Sequence, residues 1–118
     1  MSKFYLTTAI AYTNAKPHLG HALEFVFADI IARFHRAKGD DTYFLTGTDE
    51  HGSKIYKTAL EANVEVQKFI DGFAQTFVEM AESYALTNDD FIRTTEPRHH
   101  TFVKKILQKT YESGDIYQ

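Results

Sequence analysis

The chain has 118 residues, 43% hydrophobic and 14% aromatic, which suits one packed domain and excludes a disordered chain. Only 2 Pro and 6 Gly exclude collagen-like or linker sequence, and the lack of Cys excludes a disulfide framework or a thiolate zinc site within these residues. Lys+Arg 13 against Asp+Glu 16 leaves a net charge of −3, which speaks against a small domain held to nucleic acid by its overall charge.

In chain order, Lys3 to Ala9 is aromatic and β-branched and predicts a first strand. A polar run from Tyr12 to Pro17 follows, and Pro17 suits a first helical turn. Leu19, Leu23, Val26, Ile30 and Phe34, with Phe27 and Ile31 beside them, recur at helical spacing, so Leu19 is expected to pack inward. His35 with Arg33, Arg36 and Lys38 reads as a solvated helix end, closed by Gly39. Thr42 to Thr46 predicts a second, buried strand, and Gly47 to Gly52 a polar turn. Ser53 is expected to cap a short helix running to Ala62 and ended by Asn63.

A further helix carries Val66, Phe69, Ile70, Phe73, Phe77, Met80, Ala81 and Tyr84, with Phe69, Phe73 and Phe77 read as core. After a break at Thr87-Asn88-Asp89-Asp90, Phe91-Ile92-Arg93 is a short extended piece. Thr95 is expected to cap a last helix from Glu96 to Ser113, with Phe102, Val103, Ile106, Leu107, Thr110 and Tyr111 inward and Gly114 as its stop. His99-His100 reads as a solvated pair, because adjacent helical residues do not share a face. Strand, helix and strand in this order make a βαβ unit, which wants a parallel sheet and a right-handed crossover. The fold class expected is α/β, and the elements suit half of an open nucleotide-binding sheet.

In such sheets ligands bind beyond the carboxyl ends of the strands. The first loop brings Asn14, Lys16, His18, Gly20 and His21 there; the second brings Thr48, Asp49, Glu50 and His51. His18 and His21 open a helix together, where free N–H groups and the macrodipole favour an anion such as phosphate. Gly20 leaves room for a flat group against the backbone. A metal pair completed by His51 or Asp49, and plain surface histidines, remain the competing readings. No GxGxxG and no GxxxxGK[ST] is present, so any anion at the first helix needs side chains as well as backbone. Asp49 suits a cationic group such as an amino acid's ammonium; the alternative is a helix N-cap.

Thr7-Thr8-Ala9-Ile10-Ala11-Tyr12-Thr13-Asn14 with Pro17-His18-Leu19-Gly20-His21 resembles the opening of the methionyl-tRNA synthetases, in which HLGH is a form of the class I HIGH signature. Phe44-Leu45-Thr46-Gly47-Thr48-Asp49-Glu50-His51-Gly52 resembles the family's second block, and Asp90 to Glu96 and Gly114 to Tyr117 resemble bacterial-type members. The resemblance implies a helix-rich α/β fold, the first half of a Rossmann-like (HUP-type) parallel-sheet nucleotide-binding domain over residues 1–114, with 115–118 starting the connective insertion.

It also implies a methionine–tRNA ligase that activates L-methionine with Mg2+-bound ATP and transfers it to tRNA(Met). By resemblance His18 and His21 are catalytic at the ATP phosphates and Asn14 assists there. Gly20 packs under the adenine, and Glu24 reaches the nucleoside. Asp49 holds the methionine ammonium, with Tyr12 and Ile10 lining its side-chain pocket. No protein metal site is expected in this segment, zinc included. With no targeting or membrane-spanning run, a cytoplasmic protein is expected.

Ala9 and Ala11 depart from the family, where many members have Pro and Tyr. The second signature, KMSKS, is not in these residues, so the chain is expected to be an N-terminal part that is incomplete alone. The alternatives are a non-catalytic fragment or assembly module needing a complementary chain, and another HxGH nucleotidyltransferase.

Overall fold

In the computed structural model, which describes residues 1–117, the elements are β1 (Lys3–Thr7), β2 (Ala11–Tyr12), α1 (Leu19–Ala37), β3 (Asp41–Asp49), α2 (Ser53–Glu61), α3 (Val66–Ser83), β4 (Asp90–Arg93) and α4 (Pro97–Glu112). β3 is the spine of a parallel sheet. It pairs with β1 from Lys3↔Asp41 to Thr7↔Leu45 and with β2 at Ala11↔Thr48 and Tyr12↔Asp49. β4 joins it from Leu45↔Asp90 to Thr48↔Arg93. The first crossover runs through α1 and the second through α2 and α3.

The strand expected at Thr42–Thr46 extends to Asp49, so Gly47, Thr48 and Asp49 belong to the sheet rather than to a turn. Their polarity hides this in the sequence, but each hydroxyl has a partner. Thr46 and Thr8 share a hydrogen bond of 2.7 Å, and Thr48 donates to Glu50 at 2.7 Å. Gly47 is required by close approach: a Cβ there would lie 2.0 Å from the Ile92 carbonyl oxygen of β4. Between β1 and β2, Thr8, Ala9 and Ile10 face only Thr46 and Gly47, which is a bulge of one residue. The Ala9 N–H donates to Glu24 Oε1 at 2.7 Å.

The inner face of α1 differs from the expected one. Ala22, Phe25, Ala28, Asp29 and Ala32 are buried, whereas Leu19 is 81% exposed and Leu23, Phe27, Ile30, Ile31 and Phe34 also face outward. The helix is apolar nearly all round, so periodicity alone has two solutions. The small alanines win because they let the helix lie close to the sheet: Ala28 and Ala32 pack with Phe44, and Phe25 packs with Phe77. Phe77 is core as expected, while Phe69 and Phe73 are half-buried. α4 buries no residue, so Phe102, Ile106, Leu107 and Tyr111 are exposed rather than inward.

The end of α1 is not a solvated terminus. His35 stacks on Phe4 with ring centroids 3.4 Å apart and bonds Asp40 at 2.8 Å. Arg33 bonds Asp29 at 2.5 Å, and Arg36 bonds Asp89 at 2.6 Å. His99 is half-buried, so His99-His100 is not a solvated pair. Gly52 rather than Ser53 occupies the N-cap of α2, and Glu96 rather than Thr95 that of α4. The radius of gyration is 16.8 Å, with extents of 46 × 41 × 21 Å, against about 13.5 Å for a compact domain of this length. The described residues form a flat slab about one sheet and one helix layer thick. Asp115 to Tyr117 lie outside any element, and Gln118 lies outside the described residues. No helix of the described residues is long and apolar enough to cross a membrane.

Candidate functional site

The parallel strands all point their carboxyl ends to one edge, where the β2–α1 and β3–α2 loops and the N-terminus of α1 meet. His18 is the N-cap of α1. Its Nδ1 accepts from the Gly20 N–H at 3.1 Å, and the His18 N–H donates to His21 Nδ1 at 3.2 Å. This is a capping box built from two imidazoles. Its electrostatic consequence is specific. Both Nδ1 atoms act as acceptors, so each neutral ring carries its proton on Nε2. The rings lie 3.9 Å apart, and His21 also packs edge-on against Phe77.

Burial holds the His21 pKa below its ordinary value; the neighbouring His18 pushes the same way, and Glu24 opposes. Two Nε2–H donors beside the free N–H groups of a helix start suit an anion. A metal would need a third donor. Among the described residues no three His, Asp or Glu side chains gather to hold one, so neither His51 nor Asp49 completes that set. Gly20 leaves space for the His18 ring itself: a Cβ there would lie 2.9 Å from His18 Cε1. Glu24 Oε1 is engaged by the bulge, and its Oε2 carries no such bond.

Asp49 closes β3, half-buried. Its carbonyl oxygen accepts from the Thr13 N–H at 3.1 Å, and its Oδ1 accepts from the His51 N–H at 3.4 Å. It does not cap α2, whose N-cap Gly52 has no side-chain hydrogen bond, so the alternative to ion binding falls away. Tyr12 reaches over the same edge. Its hydroxyl oxygen lies 2.1 Å from where a Gly52 Cβ would stand, and Gly52 has φ +146°. Ile10 is exposed on the bulge beside it. The Asn14 amide, turned to satisfy both its ends, donates to the Tyr12 carbonyl at 3.2 Å and accepts from Lys54 Nζ at 3.0 Å. Asn14, His18, Gly20 and His21 thus share one loop and helix start, and Tyr12 and Asp49 are paired across adjacent strands.

Sequence reasoning brought Glu50 to this edge without a role, and it missed Lys54 and the close approach at Gly52. Glu50 is 2% exposed and accepts from Thr48 at 2.7 Å, from Arg93 Nε at 2.6 Å and from Thr95. Arg93 also bonds Asp71 at 2.6 Å, which lowers the Asp71 pKa, while its contact with Glu50 raises its own. The available signal was spacing: Thr46, Thr48 and Glu50 alternate, as side chains on one face of a strand do.

The family model of "tRNA synthetases class I (M)" matches residues 4–118. The chain is 48% identical over 115 residues to "Methionine--tRNA ligase" of Rickettsia bellii, covering 98% of this chain and 23% of the relative. It is 47% identical over 114 residues to the protein of that name from Listeria monocytogenes, covering 97% and 17%. Its fold is similar, at TM-score 0.96 and 44% identity, to "Mycobacterium tuberculosis methionyl-tRNA synthetase in complex with methionyl-adenylate", covering 99% of this chain and 23% of that one. The chain therefore spans a quarter or less of these relatives' length.

Proposed function

The chain belongs to the class I tRNA synthetases of the methionine group, and from that premise we propose that its residues form one side of a site making methionyl-adenylate from L-methionine and ATP. In the whole protein the methionyl group then passes to tRNA(Met). Residues 1–114 are read as the first half of the Rossmann-like catalytic domain and 115–118 as the start of an insertion, in a cytoplasmic enzyme. The observation that supports this best is the imidazole capping box at the sheet edge that also carries Asp49.

The methionine carboxylate attacks the α-phosphorus of ATP, a P–O bond to pyrophosphate breaks, and the new P–O bond makes the adenylate. His18 and His21 donate from Nε2 to the phosphate oxygens as charge builds on the five-coordinate phosphorus. Their fixed Nδ1 bonds mean little reorganisation at that moment. Asn14, held by Lys54, assists at the phosphates. Adenine lies along the Gly20 backbone beside the His18 ring, and Glu24 offers Oε2 to the nucleoside. Asp49 holds the ammonium, and Tyr12 and Ile10 line the side-chain pocket. No residue forms a covalent bond; positioning and electrostatics carry the step. Mg2+ enters on the triphosphate, which suits a hard cation bound through phosphates and water rather than a protein cage.

Calorimetry with a non-hydrolysable methionyl-adenylate analogue tests the reading. Binding is expected, and it should weaken at least about tenfold, or ~1.4 kcal/mol, in Asp49→Asn and in the His18→Ala/His21→Ala double variant. Equal binding of a glutamyl analogue, or no change in those variants, would defeat it. The exposed apolar faces of α1 and α4 favour a second reading, an assembly module that needs a complementary chain. Methionine-dependent ATP–pyrophosphate exchange by the chain mixed with the remainder of a relative distinguishes the two: a site-bearing chain loses the exchange in the His18→Ala/His21→Ala variant, whereas a pure assembly module keeps it.

A further inference from the structure

Among the described residues, Glu50 is the one fully buried carboxylate at the sheet edge to which the proposed chemistry gives no part, and it follows Asp49 directly. Its side chain is 0% exposed against Arg93. Three donors converge on it: Thr48 Oγ1 to Oε1 at 2.7 Å, Arg93 Nε to Oε1 at 2.6 Å, and Thr95 Oγ1 to Oε2. Its own N–H donates to Thr94 Oγ1 at 2.9 Å, and the same hydroxyl meets His51 Nδ1 at 3.0 Å. In the same peptide Thr13 grips the Asp49 carbonyl, and in the preceding one the Thr48 carbonyl accepts from the Thr94 N–H at 3.3 Å. The backbone is therefore pinned at the peptides on both sides of the Asp49 Cα.

Alternation along an extended chain sends Glu50 to one face and Asp49 to the other. Among the described residues the Asp49 carboxylate makes only a long bond, to the His51 N–H at 3.4 Å, so its direction is set by the backbone beneath it. Arg93 continues the restraint to α3 through Asp71. We propose that Glu50, bridged by Arg93, Thr48 and Thr95, is a positioning residue that fixes the direction of the Asp49 carboxylate. The inference rests on the reading of Asp49 as the holder of a ligand ammonium.

The test uses the chain itself, by NMR. Three-bond couplings to Asp49 Cγ report its χ1, and titrations compare L-methionine with its deaminated analogue, 4-(methylthio)butanoate. In the unaltered chain one Asp49 rotamer and a clear preference for methionine are expected. Glu50→Gln, which keeps shape and removes charge, should average the couplings and reduce that preference about tenfold, with the amide spectrum elsewhere unchanged. Thr95→Val deletes a single donor and answers if Glu50→Gln does not fold; it should act in the same direction, more weakly. Unchanged couplings in a folded variant would overturn the inference, as would averaged couplings with the preference intact. One fixed rotamer with no preference in the unaltered chain would instead defeat the reading of Asp49, and the inference with it.

Discussion

Gly20 and His18 occupy one space: a Cβ on Gly20 would stand 2.9 Å from His18 Cε1 and 3.0 Å from His18 Nδ1. The glycine of the HLGH run thus makes room for the imidazole that caps its own helix. The cap fixes which nitrogen of each ring is left to donate, so backbone geometry and site chemistry are one arrangement here.

Gly20→Ala should therefore alter the site more than the stability. Alanine gains up to ~1 kcal/mol of helix propensity over glycine. Losing the cap costs ~1 kcal/mol. The two nearly cancel, and the midpoint of denaturation should move little. The His18 ring should swing away, and its 15N spectrum should lose the signature of an accepting Nδ1. A large fall in stability with an unchanged His18 spectrum would contradict this account.

Stability should fall on mild acidification through His21. Its folded pKa lies below the ordinary 6.5, mainly because of burial. Between those two values the unfolded chain binds more protons than the folded one, so stability rises with pH across that window. It is fully present above 6.5 and is lost as pH falls through the folded value. Protonation at Nδ1 also removes the acceptor for the His18 N–H. Denaturant midpoints at pH 7.5 and pH 5 should differ, and His21→Gln should reduce the difference. Arg-paired carboxylates such as Asp29 and Asp71, whose pKa values are lowered, act only at more acid pH.

Phe25 and Phe27 separate the two possible faces of α1. Phe25 is 1% exposed and Phe27 is 58% exposed. Phe25→Ala should cost about 3–5 kcal/mol, the range for a buried aromatic. Phe27→Ser should stay within about 0.5 kcal/mol in this chain, as surface changes do. A larger loss at Phe27 than at Phe25 would mean that the helix is turned the other way.

That pair also marks what could be read from the sequence. The βαβ order and the HLGH helix start were legible, because each depends on local spacing and turn chemistry. The face of α1 was not: Leu, Ile and Phe outweigh Ala on any hydropathy count, yet close approach to Phe44 selects Ala28 and Ala32. The reach of β3 was hidden because Gly47 and Thr48 look like turn residues until Ile92 and Glu50 are placed beside them. Arg33, His35 and Arg36 looked solvated because their partners Asp29, Asp40 and Asp89 become neighbours only in the folded chain or along the helix turn. Asp49 and Asn14 could be named from their motifs, but Lys54 and Gly52 needed the tertiary placement of Asn14 and Tyr12.

Gly52→Ala is the sharpest probe of that placement. With φ +146° and ψ 153°, Gly52 sits in a region that side chains avoid at a cost of ~1–3 kcal/mol. A Cβ there would also meet the Tyr12 hydroxyl oxygen at 2.1 Å and Cζ at 3.1 Å. Two penalties are therefore expected, one from the backbone and one from the contact. Tyr12→Phe removes the oxygen and should recover the second but not the first. The double variant should thus be more stable than the sum of the single changes implies, while remaining less stable than Tyr12→Phe alone. Chemical denaturation of the four proteins in this cycle measures the coupling directly. Full recovery in the double variant would place the whole penalty in the contact. Simple additivity would mean that Tyr12 does not lie over Gly52, and that the pocket wall proposed for Tyr12 stands elsewhere.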